Sequence, residues 1–470
     1  MLVSLVELVA GCHAASAPTV ELPVRALGST PSCDAAGAAT TTAPAIRHTL
    51  AITHVTLIDP ARGARPDITI IIDDERIADV GPSAGVAIPP GATVHDATGS
   101  FAVPGLWDAH VHLSQITLDA ARLLIANGVT SVRDMGSAFA DVARWRELRC
   151  AGALVPRVYS PGPKLDGDGE DSPDSWVITS PQEARLAVAR LKTVGADFIK
   201  IHHGLSRPVY DALASESRKL GLAFAGHIGA EYPALVAAAA GQRTIEHGRG
   251  MLPCSAQLRA QIAADPALAA NPGVTTMCTP EAPAESILPA IARAGAWLTP
   301  TLVSWRGATL APSAVARLDG IHYVPPALEH RWGDPDPLPG PVELALLSGF
   351  GPLAAAAHRA GVHLLAGTDS GDPYVIPGFA LHDELQLFVQ AGVPALVAIR
   401  SATLEPARAL GVADAVGSIA PGQAADLVLL AADPLADIRN TRRIVAVVVN
   451  GRVVTAPQLA ALIAPLRRGD

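Results

Sequence analysis

The stretch Phe101-Ala-Val-Pro-Gly-Leu-Trp-Asp-Ala-His-Val-His-Leu113 closes on two histidines one residue apart. An apolar run with β-branched residues reads as a buried strand. Side chains at i and i+2 of a strand share a face, so His110 and His112 point to the same side at the strand's end. Neutral imidazole suits zinc and similar divalent ions, which makes the pair a candidate metal site. Four more candidate ligands follow, each in a short apolar run. Lys200 lies in Ala196-Asp-Phe-Ile-Lys-Ile201, and His227 closes Leu222-Ala-Phe-Ala-Gly-His227. His247 lies in Arg243-Thr-Ile-Glu-His-Gly248, and Asp369 closes His363-Leu-Leu-Ala-Gly-Thr-Asp369.

Alanine-rich helical stretches such as Gln182–Val194 and Pro208–Leu220 separate these runs. Strand alternating with helix is the pattern of parallel α/β folds. In a (β/α)8 barrel the C-terminal strand ends converge on one mouth, so the six residues, on five strand ends, would meet there. The expected barrel strands are Phe101–Leu113, Thr130–Met135, Arg157–Pro161, Phe198–His202, Ala223–Ile228, Arg243–Gly248, Trp297–Leu302 and His363–Ser370. Two connections, 249–295 and 303–361, are proline-rich and too long for plain βα turns. With residues 166–174 they are expected to shape the pocket, since long loops in compact folds are usually functional or mobile. Short β-rich runs before the barrel (Leu50–Leu57, Ile68–Ile72, Arg76–Val80) have counterparts in Asp426–Leu430 and Ile444–Val449. The division this predicts is a leader and tether over 1–47, β-rich parts over 48–100 and 416–460, and a barrel over 101–415.

The motif Pro104-Gly-Leu-Trp-Asp-Ala-His-Val-His112, followed in order by Lys200, His227, His247 and Gly367-Thr-Asp369, resembles the amidohydrolase superfamily. More narrowly it resembles the imidazolonepropionase-like and Xaa-Pro dipeptidase-like branch, which carries two metals. The likeness runs from about His48 to about Val454. It takes in Thr130-Ser-Val-Arg-Asp-Met-Gly136, Gly417-Ser-Ile-Ala-Pro-Gly-Gln-Ala-Ala-Asp-Leu-Val428 and Val449-Asn-Gly-Arg-Val453. The resemblance implies a (β/α)8 TIM barrel with a small β-sandwich built from both chain termini. It implies two divalent ions, Zn2+ by preference: His110, His112 and Asp369 on one, His227 and His247 on the other, Lys200 bridging.

Charge balance gives Lys200 its expected form. Two divalent ions bring about four positive charges, so an ammonium beside them is repelled and the neutral amine is favoured. That amine can take up carbon dioxide as a carbamate, which offers one oxygen to each ion and a negative charge. In the resembled mechanism a metal-bridging hydroxide attacks an amide carbonyl. Asp369 accepts its proton and passes it to the leaving nitrogen. The substrate expected is a small-molecule amide, either a dipeptide or an N-acyl amino acid, with ochratoxin-type aryl amides in the same branch. Cyclic amide hydrolysis and aromatic deamination are the alternatives. Lys200 counts against a deaminase, which usually keeps one metal, and the intact ligand set counts against a non-catalytic binding lipoprotein.

His202 shares face parity with Lys200 and, with His203 and Tyr374, is a candidate substrate contact. Glu246, one residue before His247, is expected to point out of the barrel. Arg133 and Asp134 are expected to form a buried pair, and His382 to brace a helix. A net charge of −9 over 470 residues, with no long basic run, argues against nucleic acid as a partner. A homo-oligomer is expected. Residues 1–12, ending Leu8-Val-Ala-Gly-Cys12, resemble a bacterial lipoprotein signal, although Glu7 and the lack of basic residues depart from that pattern. Export, with a membrane tether through Cys12, is the expectation, and a cytoplasmic enzyme the alternative. Cys33, Cys150, Cys254 and Cys278 then remain as an even set, with Cys254 and Cys278 either bridged or buried as thiols.

Overall fold

The computed structural model describes residues 48–167, 174–270, 272–278, 284–332 and 339–468. The leader and tether, with Cys12 and Cys33, lie outside the described residues.

Both ends of the chain contribute to one eight-stranded sheet. Thr49–Asp59, Gly63–Asp73 and Arg76–Pro82 form an antiparallel meander, and Thr93–Asp96 pairs alongside the first of them. Phe101–Pro104 joins this part to Leu427–Leu430, Ile444–Val449 and Arg452–Thr455 from the far end of the chain. The unbroken apolar sequence Leu427-Val-Leu-Leu430 has a simple reason. Leu427 and Leu429 face the core shared with Ile52, Leu57 and Ile70, while Val428 and Leu430 face the other way into the main core. A strand covered on both faces needs no polar alternation.

The expected strand Phe101–Leu113 is two strands. The break is Gly105, where a Cβ would lie 2.0 Å from Thr130 Oγ1. Only a residue without a side chain permits that approach. Phe101–Pro104 stays in the terminal sheet, and Leu106–Val111 begins a parallel one with Val129–Asp134 and Arg157–Tyr159. A second parallel sheet runs Ser175–Val177, Lys164–Asp166, Ile199–Ile201, Phe224–Gly226, Thr244–Glu246, Trp297–Thr299. Residues 363–370, expected as the last barrel strand, carry isolated bridges in place of a regular strand, Leu364 to Leu298 and Ser370 to Val111. Backbone bonds nevertheless tie this segment to both sheets: Leu365 N to Leu298 O, Ala109 N to Ala366 O and Asp369 N to His110 O, at 2.8–2.9 Å. Asp108 adds side-chain clamps, accepting from Thr368 N at 2.9 Å and Thr368 Oγ1 at 2.6 Å.

Helices Pro181–Thr193, opened by a Ser180/Glu183 capping box, and Arg207–Leu220, ended by left-handed Gly221, fall where alanine-rich periodicity placed them. Cys254 and Cys278 form a disulfide with Cα atoms 5.4 Å apart, pinning the segment that follows Thr244–Glu246. His382 braces as expected: it is buried, with Nδ1 2.9 Å from Thr441 Oγ1 and Nε2 3.1 Å from Asn127 O. Among the described residues no helix is long and apolar enough to cross a membrane.

Candidate active site

Strand parity brings His110 and Lys200 into the interior of the parallel sheets, while Ile199 and Ile201 turn outward into the core beneath the helices. His247 and Asp369 arrive differently. His247, just past Thr244–Glu246, and Asp369 have positive φ, +64° and +65°, as has Thr301, two residues past Trp297–Thr299, at +49°. Such left-handed conformations cost a residue with a Cβ about 1–3 kcal/mol and concentrate at functional sites. Here they re-aim side chains that alternation would have sent outward.

Six residues come together as a result. Asp369 Oδ1 lies 3.3 Å from His110 Nε2 and 3.2 Å from His112 Nε2, and Oδ2 lies 3.4 Å from His247 Nδ1. His247 Nε2 is 2.9 Å from His227 Nε2. The His110 and His247 ring centres are 4.7 Å apart, as are those of His227 and His247. Lys200, His112, His227, His247 and Asp369 line one cavity of about 250 Å³.

The tautomers follow from the far side of each ring. His110 Nδ1 is 2.9 Å from Glu246 Oε2, and His112 Nδ1 is 3.2 Å from Gly136 O. Both partners only accept, so in the neutral form each ring carries its proton on Nδ1 and leaves Nε2 as a lone pair. Two lone pairs then face the oxygen of a carboxylate, acceptor against acceptor. A cation between them resolves the conflict. Three further facts suit metal ions: His110 Nε2, His227 Nδ1 and Lys200 Nζ are buried without a hydrogen-bond partner among the described residues. Buried polar atoms are rarely left so.

Electrostatics keep three of the four imidazoles in ligand form, whereas at His112 burial is outweighed by the hydrogen bond and charge of Asp369, which raise it. Burial pushes the imidazoles of His110, His227 and His247 down, the last two well below the usual histidine range. Burial likewise lowers Lys200 to about 8, against the pull of Glu246 and Asp369. For Asp369 burial opposes ionisation, but His110, His247 and His112 outweigh it and hold the carboxyl well below its ordinary value.

Two expectations about the surroundings are corrected. Glu246 points inward, sharing a face with Thr244, because the left-handed turn at His247 lets consecutive residues enter the same interior. Arg133 pairs with Glu246, with Nη2 3.0 and 2.9 Å from its two oxygens, and donates also to Thr244 Oγ1 and Ala109 O. Asp134, its neighbour, faces the opposite way and accepts from Ser137 Oγ and Ser160 Oγ at 2.6 Å. Adjacent strand residues cannot share a face, which the expected Arg133–Asp134 pair overlooked. Burial opposes the charge on Glu246, but Arg133 keeps it ionised. Glu246→Gln breaks this buried pair. It should cost about 3–5 kcal/mol of stability and weaken metal affinity about 10–100-fold by freeing the His110 ring. Denaturant titration and metal dialysis on the same variant check both effects.

His202 lines the cavity, its Nδ1 hydrogen-bonded to Asp166 Oδ2, while Asp166 Oδ1 accepts from Gly167 N and Gly204 N at 2.8 Å. Burial lowers His202 to about 4, so it is neutral, with Nε2 as its lone pair. His203 is exposed, its ring centre 4.2 Å from that of His202. Ligand atoms of His202, His203 and His227 lie within 4.8 Å of one another, as do those of His110, His247 and Asp369. Tyr374 does not line the cavity. Its backbone is left-handed (φ +66°), and its ring packs against Trp332, 5.6 Å between centres. Residues unmarked in the sequence reading also line the pocket: Lys164, Arg249, Trp305 and Asp372. Asp166, which the sequence reading put at the start of a pocket-shaping loop, lies on a strand with Lys164, and their i, i+2 spacing is the signal that could have found them.

The Amidohydrolase family model matches residues 101–454, three-quarters of the chain. The chain belongs to the Amidohydrolase family. Membership makes it a metal-dependent hydrolase of carbon–nitrogen bonds. A putative prolidase from Bifidobacterium longum is 28% identical, covering 89% of this chain and 99% of its own, with a TM-score of 0.65. A bottromycin amidohydrolase, at 24% identity and TM-score 0.70 over 89% of both chains, shares the fold. Local sequence likeness reaches 40% over 70 residues of an adenine deaminase from Paracoccus denitrificans, and 34% over 83 residues of a dihydroorotase from Trichlorobacter lovleyi. Those matches cover 12% and 19% of the two relatives.

Proposed function

We propose that this chain hydrolyses the amide bond of a dipeptide or an N-acyl amino acid at a binuclear metal centre. The observation that carries the reading is the convergence of unpaired nitrogen lone pairs, Asp369 and the buried amine of Lys200 on one small cavity. His110, His112 and Asp369 would hold one ion, His227 and His247 the other, with Lys200 as a bridging carbamate. Bound there, two divalent ions such as Zn2+ supply an acidified water and polarise the scissile carbonyl. The chain's own residues do the rest. Asp369 takes a proton on a carboxylate oxygen and delivers it to the departing nitrogen. Glu246 and Gly136 O keep the protons of His110 and His112 on Nδ1. His202, held by Asp166, offers a fixed lone pair toward the substrate. In this reading the eight barrel members are Leu106–Val111, Val129–Asp134, the stretch from Arg157 to Asp166, Ile199–Ile201, Phe224–Gly226, Thr244–Glu246, Trp297–Thr299 and residues 363–370, and the terminal sheet is the accessory sandwich.

Metal analysis and an amine-release screen over dipeptides and N-acyl amino acids test this reading together. Two ions per chain and amine release support it. One ion, with ammonia released from an aromatic amine, would establish the deaminase alternative instead, and no ion would sink both.

We also propose that the chain is exported and held on a membrane through lipidated Cys12. The support is the short apolar run ending in Leu8-Val-Ala-Gly-Cys12. Several acyl chains on one cysteine anchor firmly where a single chain does not. In fractionated bacteria, wild type should sediment with membranes and Cys12→Ser should not. Equal solubility of the two, with Met1 retained in both, overturns the tether.

A further inference from the structure

The catalytic cavity is small and polar. At about 250 Å³ it falls under the range of about 300–1,000 Å³ usual for drug-sized ligands. Among the described residues one large apolar side chain faces it, Trp305, and the same side chain lines a second cavity of about 590 Å³. That second space is walled largely by apolar groups, among them Leu302, Leu344, Leu347, Phe350 and Leu387. Trp305 is therefore the partition between a polar chamber with room for a small substrate and an apolar chamber more than twice as large.

The partition is held rigidly. The indole stacks on Phe350 with centres 4.5 Å apart and planes 3° from parallel. Its Nε1 donates to His247 O at 3.3 Å, and the Arg249 guanidinium carbon lies 5.3 Å from the ring centre. The short helix Leu302–Gly307 that carries it is pinned from both sides. Val303 N donates to Glu384 Oε2 at 2.8 Å, and Ser304 Oγ donates to Asp372 Oδ2 at 2.6 Å. A side chain fixed at this many points does not swing aside cheaply for a bulky group.

Resting on the amide-hydrolase reading, we infer that Trp305 is the specificity-determining residue of the site. It confines the enzyme to substrates with small groups beside the scissile amide and shuts bulky aromatic and long acyl groups out of the apolar chamber. The substrate class narrows accordingly, to short dipeptides and short-chain N-acyl amino acids rather than large aryl amides. Removing the indole joins the two spaces, and an apolar group then has an apolar-walled recess to enter. Pocket contacts of one methylene already discriminate about 10–200-fold, so a whole ring should change preference by at least about tenfold.

The test uses the metal-loaded full chain and three dipeptides, Ala-Ala, Ala-Trp and Trp-Ala, followed by amine release. Wild type should cleave Ala-Ala at least about tenfold better, by kcat/KM, than either Trp dipeptide. Trp305→Ala should raise the Trp-to-Ala ratio for at least one of them by about tenfold or more, whatever its absolute rate. Trp305→Leu keeps an apolar side chain against Phe350 and should move the ratio in the same direction by less. Ala391→Phe refills the apolar chamber from another of its lining positions. It should leave wild type unchanged and cancel the gain in the Trp305→Ala background. A wild type that already takes Trp dipeptides as well as Ala-Ala, or a ratio unmoved in both Trp305 variants while Ala-Ala is still cleaved, overturns the inference and leaves the amide reading standing. Wild type that cleaves none of the three, and no other amide, overturns both.

Discussion

Asp369→Asn should bind nearly its full complement of metal and lose about 10³-fold or more in kcat. The substitution keeps the shape of the side chain and one oxygen facing His110 and His112, whose Nε2 atoms lie 3.3 and 3.2 Å from Asp369 Oδ1. What it removes is a basic oxygen. The aspartate is well placed to be that base: the surrounding imidazoles hold it ionised despite complete burial. An amide cannot take up the proton released on attack, and it cannot return one to the leaving nitrogen. Positioned proton transfer is worth about 10²–10⁴-fold. Because two transfers are lost, the upper part of that range is expected. The loss should fall on kcat with KM little changed, since the interaction is made on the way to the transition state and not on binding. Dialysis against a metal buffer, followed by steady-state kinetics, separates the effects. A near-normal rate would assign the proton to another group in the cavity. Asp372 would be the first to examine: it lines the same space, and burial together with Asp369 raises it to about 7.

Much of this site could be read before any coordinates. Period-two alternation is a strong rule while a strand lasts, and it put His110 and His112 on one face and His202 on the face of Lys200. The same rule failed one residue past the strand's end. At His247 a left-handed backbone brings Glu246 and His247 into the same interior, and nothing in Thr-Ile-Glu-His-Gly announces a positive φ at a histidine. Asp369 was reached by motif order, and its conformation was equally invisible. Other misses were questions of spatial neighbourhood. Gly105 breaks the first strand because Thr130, distant in sequence, presses against it. Asp166 fixes His202 across 36 residues. Trp305 separates two cavities whose walls come from helices far apart in the chain. Tyr374 shows the opposite error: proximity to Asp369 in sequence suggested a substrate contact, yet a left-handed turn carries its ring to Trp332. Local chemistry is legible along a chain, whereas re-aimed backbone and long-range packing are not.

Lys200→Ala should lose at least one of the two ions and, with it, nearly all activity. A lysine that is 1% exposed, with a buried Nζ lacking a hydrogen-bond partner among the described residues, is a costly feature for a structural residue. A salt bridge would offset that cost, but Glu246, the carboxylate acting most strongly on the amine, is already taken by Arg133 and His110. Burial has lowered the amine to about 8, so at neutral to mildly alkaline pH a useful fraction is uncharged and nucleophilic toward carbon dioxide. Carboxylation turns the liability into an anionic ligand with two oxygens, and two cations nearby stabilise the product. If this holds, alanine removes the bridge and leaves excess positive charge between the ions, so affinity for one of them collapses. Small carboxylates such as acetate, which fit the vacated volume and carry the missing charge, should restore part of both metal content and rate. A purely structural lysine makes the contrary prediction: alanine would leave a cavity and lower stability by about 2–5 kcal/mol, as other large-to-small core changes do, while both ions stayed and acetate had no effect. Metal content of the variant measured with and without acetate decides between them, and two retained ions would remove Lys200 from the centre.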